Sequence, residues 1–353
     1  MGGEKNSAAE NGAARKDDKF LYGALLHLGM NMWSDRPFPR PVEGGYTYEI
    51  PKTLPPEVYR LKRLARQRGG RKDFLDFEEA AFHAACDHMA AKGMNFVMID
   101  VGEGYVYPSH PELAVKGSWT PEKMRAELKR IRGLGLEPVP KLNFSTTHCA
   151  WLGEYRHAIS TPEYYRVVAD VIRDVYEVFD RPRLFHLGYD EEDAGHMKDF
   201  DYMVIRQGEL WWHDFLYTVG LVEKLGARPW IWSDKIWHHR DEFVKRCPKS
   251  VLQSNWYYLA NFSPSEKSSL YPMVHAYDWL EKAGFDQVPC CSNCGDWNTL
   301  KTNTRKTVEY VKPIIAPERF KGMMTAPWVR STEPFLGWIK EAVDMLAEVK
   351  PLI

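Results

Sequence analysis

Eight short apolar runs, each followed by a stretch with helical spacing, recur from Phe20 to the C-terminus at roughly 40-residue intervals. A buried strand that leads into a helix returns to a parallel neighbour by a right-handed crossover. A chain that repeats this unit eight times therefore has few ways to cover both faces of its strands. The strand-like runs are 20–28, 95–101, 136–144, the run that opens at Leu184, 228–233, 250–256, 285–292 and 321–329. The helix-like stretches are 77–92, 121 to the glycines at 133–135, 162–179, 208–225, 241–246, 272–283, 305–315 and 334–349. Thr120-Pro121 and Thr161-Pro162 read as N-caps followed by proline at the first helical position, and Gly93, Gly226 and Gly284 read as C-terminal stops.

This beat predicts a single (β/α)8 TIM barrel over residues 20–353, with a long proline-rich loop after strand one. A doubly wound open sheet is the alternative, but no Gly-x-Gly-x-x-Gly follows the first strand. Residues 1–19 are polar, with no apolar core of a signal peptide, and read as a disordered leader, an appended remnant or what is left after a signal was trimmed. Location follows from that choice: periplasmic or extracellular if a signal was removed, cytoplasmic otherwise. No run approaches the length of a membrane span. With a net charge of −1 there is no electrostatic case for nucleic acid. The basic run from Arg60 to Lys72 reads as a solvated helix face.

A barrel gathers the ends of its strands on one face, here Asn31, Glu103, Asn143, Asp190, Glu191, Asp234, Trp256, Ser292 and Trp328. The most pointed of these ends is Leu184-Phe185-His186-Leu187-Gly188-Tyr189-Asp190-Glu191-Glu192-Asp193, an apolar strand that runs into four carboxylates. Acidic runs are ordinarily solvated loops. Here the carboxylates follow a buried strand directly, Gly188 allows close backbone approach, and His186 interrupts an apolar run, so Asp190 and Glu191 read as a site. Glu192 and Asp193 are equally well read as plain loop. The 13 Trp, 18 Tyr and 16 Phe exceed what core filling needs and suit a pocket that stacks on sugar rings. Six cysteines include Cys290, Cys291 and Cys294, a cluster without the fourth ligand of a zinc clip, so free thiols are expected.

His186-Leu187-Gly188-Tyr189-Asp190-Glu191 resembles the His-x-Gly-x-Asp-Glu signature of the β-N-acetylhexosaminidases, glycoside hydrolase family 20. Other stretches align in order. Lys92-Gly93-Met94-Asn95, with Ser109-His110-Pro111-Glu112-Leu113, resembles the family's second strand and its loop. Gly135-Leu136-Glu137-Pro138-Val139-Pro140, then His148, resembles the third strand and the loop histidine, and Gln253-Ser254-Asn255-Trp256 resembles the sixth-strand Trp that walls the sugar pocket. The resemblance implies a retaining, substrate-assisted glycosidase that needs no cofactor or metal. Glu191 would be the general acid/base, and Asp190 would orient a 2-acetamido group whose carbonyl oxygen attacks C1. For that role Glu191 is expected to have a raised pKa, from apolar walls and the Asp190 charge. His186, His148, Trp232, Asp234, Trp256, Trp328 and Glu103 are the expected substrate-binding residues, with carbohydrate as the partner. The chain departs from the family pattern at His27-Leu28-Gly29-Met30-Asn31, where an Arg is usual, and at Lys141 and Asn143, where Glu and Asp are usual. After strand seven no Tyr-x-Asp is present, and Tyr257 or Tyr258 is the candidate substitute.

Three other functions fit the same residues. One is a glycosidase on a sugar without an acetamide, pairing Glu191 with another carboxylate. Another is a metal-dependent barrel hydrolase built on His27, His148, His186 and Asp190, although the usual His-x-His of strand one is absent. The third is a glycan-binding barrel without turnover.

Overall fold

The computed structural model describes residues 19–37, 55, 56, 59, 70–197, 200–294 and 302–353. Eight parallel strands form one sheet: β1 (Leu21–His27), β2 (Phe96–Asp100), β3 (Glu137–Lys141), β4 (Leu184–His186), β5 (Arg228–Trp232), β6 (Leu252–Ser254), β7 (Cys290–Cys291) and β8 (Gly322–Thr325). Their order is β6-β5-β4-β3-β2-β1-β8-β7, and parallel bridges Gln253–Gln287 and Trp256–Cys290 join the two ends into a closed barrel. Between consecutive strands, and after β8, lie α1 (Glu79–Ala91), α2 (Pro121–Gly133), α3 (Pro162–Val178), α4 (Gly208–Leu225), α5 (Lys235–Arg246), α6 (Tyr271–Lys282), α7 (Asn303–Val311) and α8 (Glu333–Val349). The predicted TIM barrel is the observed fold.

Alternation along each strand divides the core in two. Leu21, Leu25, Phe96, Met98, Val139, Leu184, Trp230, Leu252, Val288 and Met324 fill the barrel interior. Their neighbours Tyr22, Leu26, Val97, Ile99, Phe185 and Ile231 pack outward under the helices. Thr120 and Thr161 cap α2 and α3 as predicted, each accepting from a backbone N–H in the first turn. β3, β6 and β8 are shorter than the runs 136–144, 250–256 and 321–329, the seventh helix spans Asn303–Val311 and not 305–315, and two further elements differ more sharply. The fifth helix starts at Lys235, six residues before the expected 241, because a break at His239 (φ −134°) interrupts its periodicity. The seventh strand shrinks from 285–292 to two residues, because Pro289 lacks the N–H a longer ladder would use.

Among the described residues no helix is long and apolar enough to cross a membrane. Residues 1–18, most of the loop after β1 and most of the basic run lie outside the described residues. Among the described residues Cys86, Cys149, Cys247, Cys290 and Cys291 are buried free thiols.

Candidate active site

At the exit of β4 the backbone turns through left-handed conformations at Gly188 (φ 72°), Tyr189 (71°) and Glu191 (56°). Glycine is required at 188 twice over. A Cβ there would meet left-handed strain and would lie 2.1 Å from Asn143 Oδ1. That proximity lets the Asn143 side chain organise the turn. Its Oδ1 accepts from the amides of Ser145 (3.0 Å) and Tyr189 (3.3 Å), and its Nδ2 donates to Asp190 Oδ1 (2.7 Å). Tyr189 points outward, its hydroxyl bonded to Thr218 and the Asp214 carbonyl.

Asp190 and Glu191 converge on one imidazole. His148, on a 3-10 turn after β3, places Nε2 3.3 Å from Asp190 Oδ2 and 3.3 Å from Glu191 Oε2. Burial alone would strip its proton, but Asp190 and Glu191 push it up to about 10, so the ring is an imidazolium at neutral pH. A second histidine, His196, lies 3.3 Å from Glu191 Oε1 and 2.8 Å from Asp193. Glu191, with help from Asp193 and against burial, pushes it up to about 9. Burial raises both carboxyls, yet His148 holds Asp190 below its ordinary range, and His148 with His196 holds Glu191 well below. The expected raised pKa of Glu191 is therefore reversed, because two cations outweigh the apolar walls. A carboxyl beside this pair that is raised is Asp234, just past the end of β5, which burial and the Asp190 charge push up to about 7.

Aromatic rings surround these groups. Trp256 lies with Tyr258 in a stacked pair (centroids 5.1 Å, 24°) and against Trp237 at 4.5 Å, and its Nε1 donates to Asp234 Oδ1 at 3.3 Å. Trp328 donates to the Tyr258 hydroxyl at 3.0 Å and lies 5.6 Å from Trp232. Trp33, from the loop after β1, meets His148 edge-on at 6.1 Å. Of the two tyrosines offered as substitutes, Tyr257 is buried under the helices with its hydroxyl on the Asn261 carbonyl. Tyr258 stands with the rim tryptophans.

Other expected residues sit lower or farther off. His186 is fully buried, accepts the Gly188 N–H at Nδ1 and packs 4.5 Å from the buried Trp232. Burial and the Lys141 charge keep it neutral. Lys141 is hydrogen-bonded to Asp100, and His27 lies 3.6 Å from the same carboxylate. The set His27, His148, His186 and Asp190 is thus not assembled; only His148 and Asp190 meet. Glu103 spends Oε1 on the amides of Met30 (2.7 Å) and Asn31 (3.0 Å). Ser109 and His110 bond Asp174 and Asp170 on α3. Glu192 is bound to Arg206 (2.8 Å), which also reaches Asp214 (3.0 Å) and the Phe144 carbonyl, so it pins the loop and is not solvated. Asp296 and Trp297 lie outside the described residues. Sequence reasoning missed His196 and Arg206; the only local hint was the Asp193/His196 spacing of three.

No family model matches the sequence, and no curated protein matches it. Solved structures do. A β-N-acetylhexosaminidase from Bacteroides fragilis NCTC 9343 superposes with a TM-score of 0.57 at 11% identity, over 92% of this chain and 65% of that one. A family 20 exo-β-N-acetylglucosaminidase from Vibrio harveyi, in complex with N-acetylglucosamine, gives 0.51 at 14% identity, over 78% and 56%. The chitobiase of Flavobacterium johnsoniae gives 0.53 at 17%, over 76% and 46%. The chain thus spans roughly half to two-thirds of the length of these proteins. At such identities, what the chain shares with the family 20 hexosaminidase structures is the (β/α)8 barrel itself.

Proposed function

We propose that the protein is a retaining glycoside hydrolase acting on 2-acetamido sugars, with Glu191 as general acid/base and Asp190 as the group that orients the acetamide. The observation that carries this reading is the convergence of both carboxylates on His148 within 3.3 Å at a strand exit beside an aromatic rim. Adjacent in sequence and turned onto one imidazole, the two carboxylates leave the same strand exit and face one side of a bound sugar, where the two-carboxylate scheme places its groups on opposite sides. They can divide the labour on one side. Asp190, kept anionic, accepts the acetamide N–H and aims its carbonyl oxygen at C1. That oxygen forms the new bond to C1 as the glycosidic bond breaks, and Glu191 gives its proton to the departing oxygen. Glu191 then deprotonates a water that attacks C1 as the bond from C1 to the acetamide oxygen breaks and the acetamide is restored, and the retained configuration follows from two displacements.

Glu191 begins as an anion, so binding has to change its state. His196 is half-exposed and supplies one of the two cations that hold Glu191 ionised. A sugar that covers the carboxylate and turns His196 aside removes that cation and excludes water, and both effects raise Glu191 toward the range of an acid. Trp256, Tyr258 and Trp328 supply the surface on which the ring stacks. The barrel fold shared with hexosaminidase structures supports the same reading.

The test is a panel of aryl glycosides run on the wild type and Glu191→Gln. The variant should lose at least about 10²-fold in kcat on 2-acetamido substrates, the scale of a general-acid contribution, while keeping its fold. A thiazoline analogue of the cyclised intermediate should inhibit the wild type. Full activity in Glu191→Gln would end the assignment.

A further inference from the structure

Asp234 was expected to bind substrate, yet both of its carboxylate oxygens are already engaged by the protein. Oδ2 accepts the backbone N–H of Glu191 at 2.8 Å, and Oδ1 accepts the indole N–H of Trp256 at 3.3 Å. The residue is 8% exposed, and its backbone is fixed at the junction of β5 and α5: the neighbouring Ser233 amide donates to the Ser254 carbonyl, and its own carbonyl accepts from Trp237. One side chain therefore bridges a residue of the β4 exit and a residue of the β6 exit. Glu191 has a left-handed backbone, which is strained for a non-glycine residue, so an amide bond to a fixed carboxylate helps to hold it there. Trp256 has no other hydrogen-bond acceptor for its indole among the described contacts, so the same carboxylate sets the tilt of the ring.

We propose that Asp234 is a positioning residue that couples the aromatic wall to the catalytic carboxylate, holding Trp256 and Glu191 in register through one ionised side chain. The inference deepens the glycosidase reading and rests on it for its kinetic arm. An ionised carboxylate accepts both N–H groups; a protonated one commits an oxygen to its own proton, and the bond there weakens. The charged groups around Asp234 are Asp190 and Glu191 from the β4 exit and Lys235 next in the chain. From the β6 side the aromatic Trp256 faces it. Burial and the two neighbouring carboxylates place its titration at about 7, opposed by the Glu191 amide, so the coupling is lost as pH falls through neutrality.

The variants that separate the two bonds are Asp234→Asn, which offers Glu191 a carbonyl oxygen but no charge, and Trp256→Phe, which keeps a ring and removes the indole N–H. Each should raise KM for an aryl 2-acetamido glycoside about fivefold, as expected for one hydrogen bond. The double variant should be little worse than either, because both single changes break the same contact. The acid limb of kcat/KM near pH 7 should disappear in Asp234→Asn. The second arm needs no turnover: in the ¹⁵N-labelled protein, the Trp256 indole and Glu191 amide resonances should shift together with one midpoint near pH 7, and neither should shift there in Asp234→Asn. Resonances that do not move between pH 5 and 9, or that titrate unchanged in Asp234→Asn, overturn the coupling. A wild type that turns over no glycoside but shows the shared titration removes the proposed function and leaves the coupling in place.

Discussion

Glu103 keeps one carboxylate oxygen, Oε2, without a hydrogen-bond partner among the described residues, packed beside Gly29. Burial pushes the group up to about 7, against the amides of Met30 and Asn31 that favour its anion. The unfolded chain releases this proton near pH 4.3. The folded protein thus binds it more tightly. Below about pH 4 the group costs nothing; the cost grows as pH rises and is complete above about 7, where it amounts to roughly 4 kcal/mol. Glu103→Gln keeps an acceptor for both amides and cannot ionise. Urea unfolding at pH 5 and pH 8 should show the variant gaining relative to the wild type at the higher pH, and an equal difference at both would reject the argument. Asp190 makes the opposite case. His148 keeps it anionic, and Asn143 holds its other oxygen. Asp190→Asn should lose most activity on substrates with an acetamide; an equal loss on every glycoside would point to the route that pairs Glu191 with a different carboxylate.

The β4 exit shows what an element owes to its own sequence and what it owes to neighbours. That an apolar strand opens at Leu184 and runs into carboxylates was legible, because apolar runs and helix caps are local signals; that it ends at His186 was not. The ionisation of Glu191 was not, because it depends on His148 and His196 arriving from different loops. Nor could the sequence separate Tyr257 from Tyr258, which differ only in the face to which the backbone after β6 turns them. The sequence left Glu192 open between site and solvated loop, because its partner Arg206 lies fourteen residues away. Gly188 was legible as a point of close approach, and the structure names the partner as Asn143. Gly188→Ala should destabilise by roughly 2–5 kcal/mol, from left-handed strain and overpacking together. It should also lower kcat, since Asn143 cannot retreat without releasing Asp190. A variant that melts with the wild type would show that the turn is made differently.

The barrel is unevenly stitched. β1 pairs with β2 through five residue pairs in register and with β8 through four, whereas β7 has two residues in its ladder. The β6–β7 seam rests on separate backbone bonds, Gln253 to the Asp286 carbonyl, Val288 to the Gln253 carbonyl and Cys290 to the Asn255 carbonyl, with Pro289 contributing no donor. Strands held by fewer bonds open locally at less than the global cost. Hydrogen exchange should therefore rank the amides of Leu25 and Ile99 near the global unfolding limit and those of Val288 and Cys290 well below it. The site lies across this inequality: Asp190 and Glu191 leave β4, while Trp256, Tyr258 and Trp328 leave β6 and β8, on either side of the short strand. A sugar held between the carboxylates and the rings links the two sides, and binding to the closed barrel alone stabilises it by mass action. Saturating N-acetylglucosamine should slow exchange at Val288 and Cys290 and leave Leu25 and Ile99 nearly unchanged. Uniform slowing at all four amides would mean that the seam already opens only when the whole barrel unfolds, and seam amides as protected as those of β1 without ligand would refute the inequality directly.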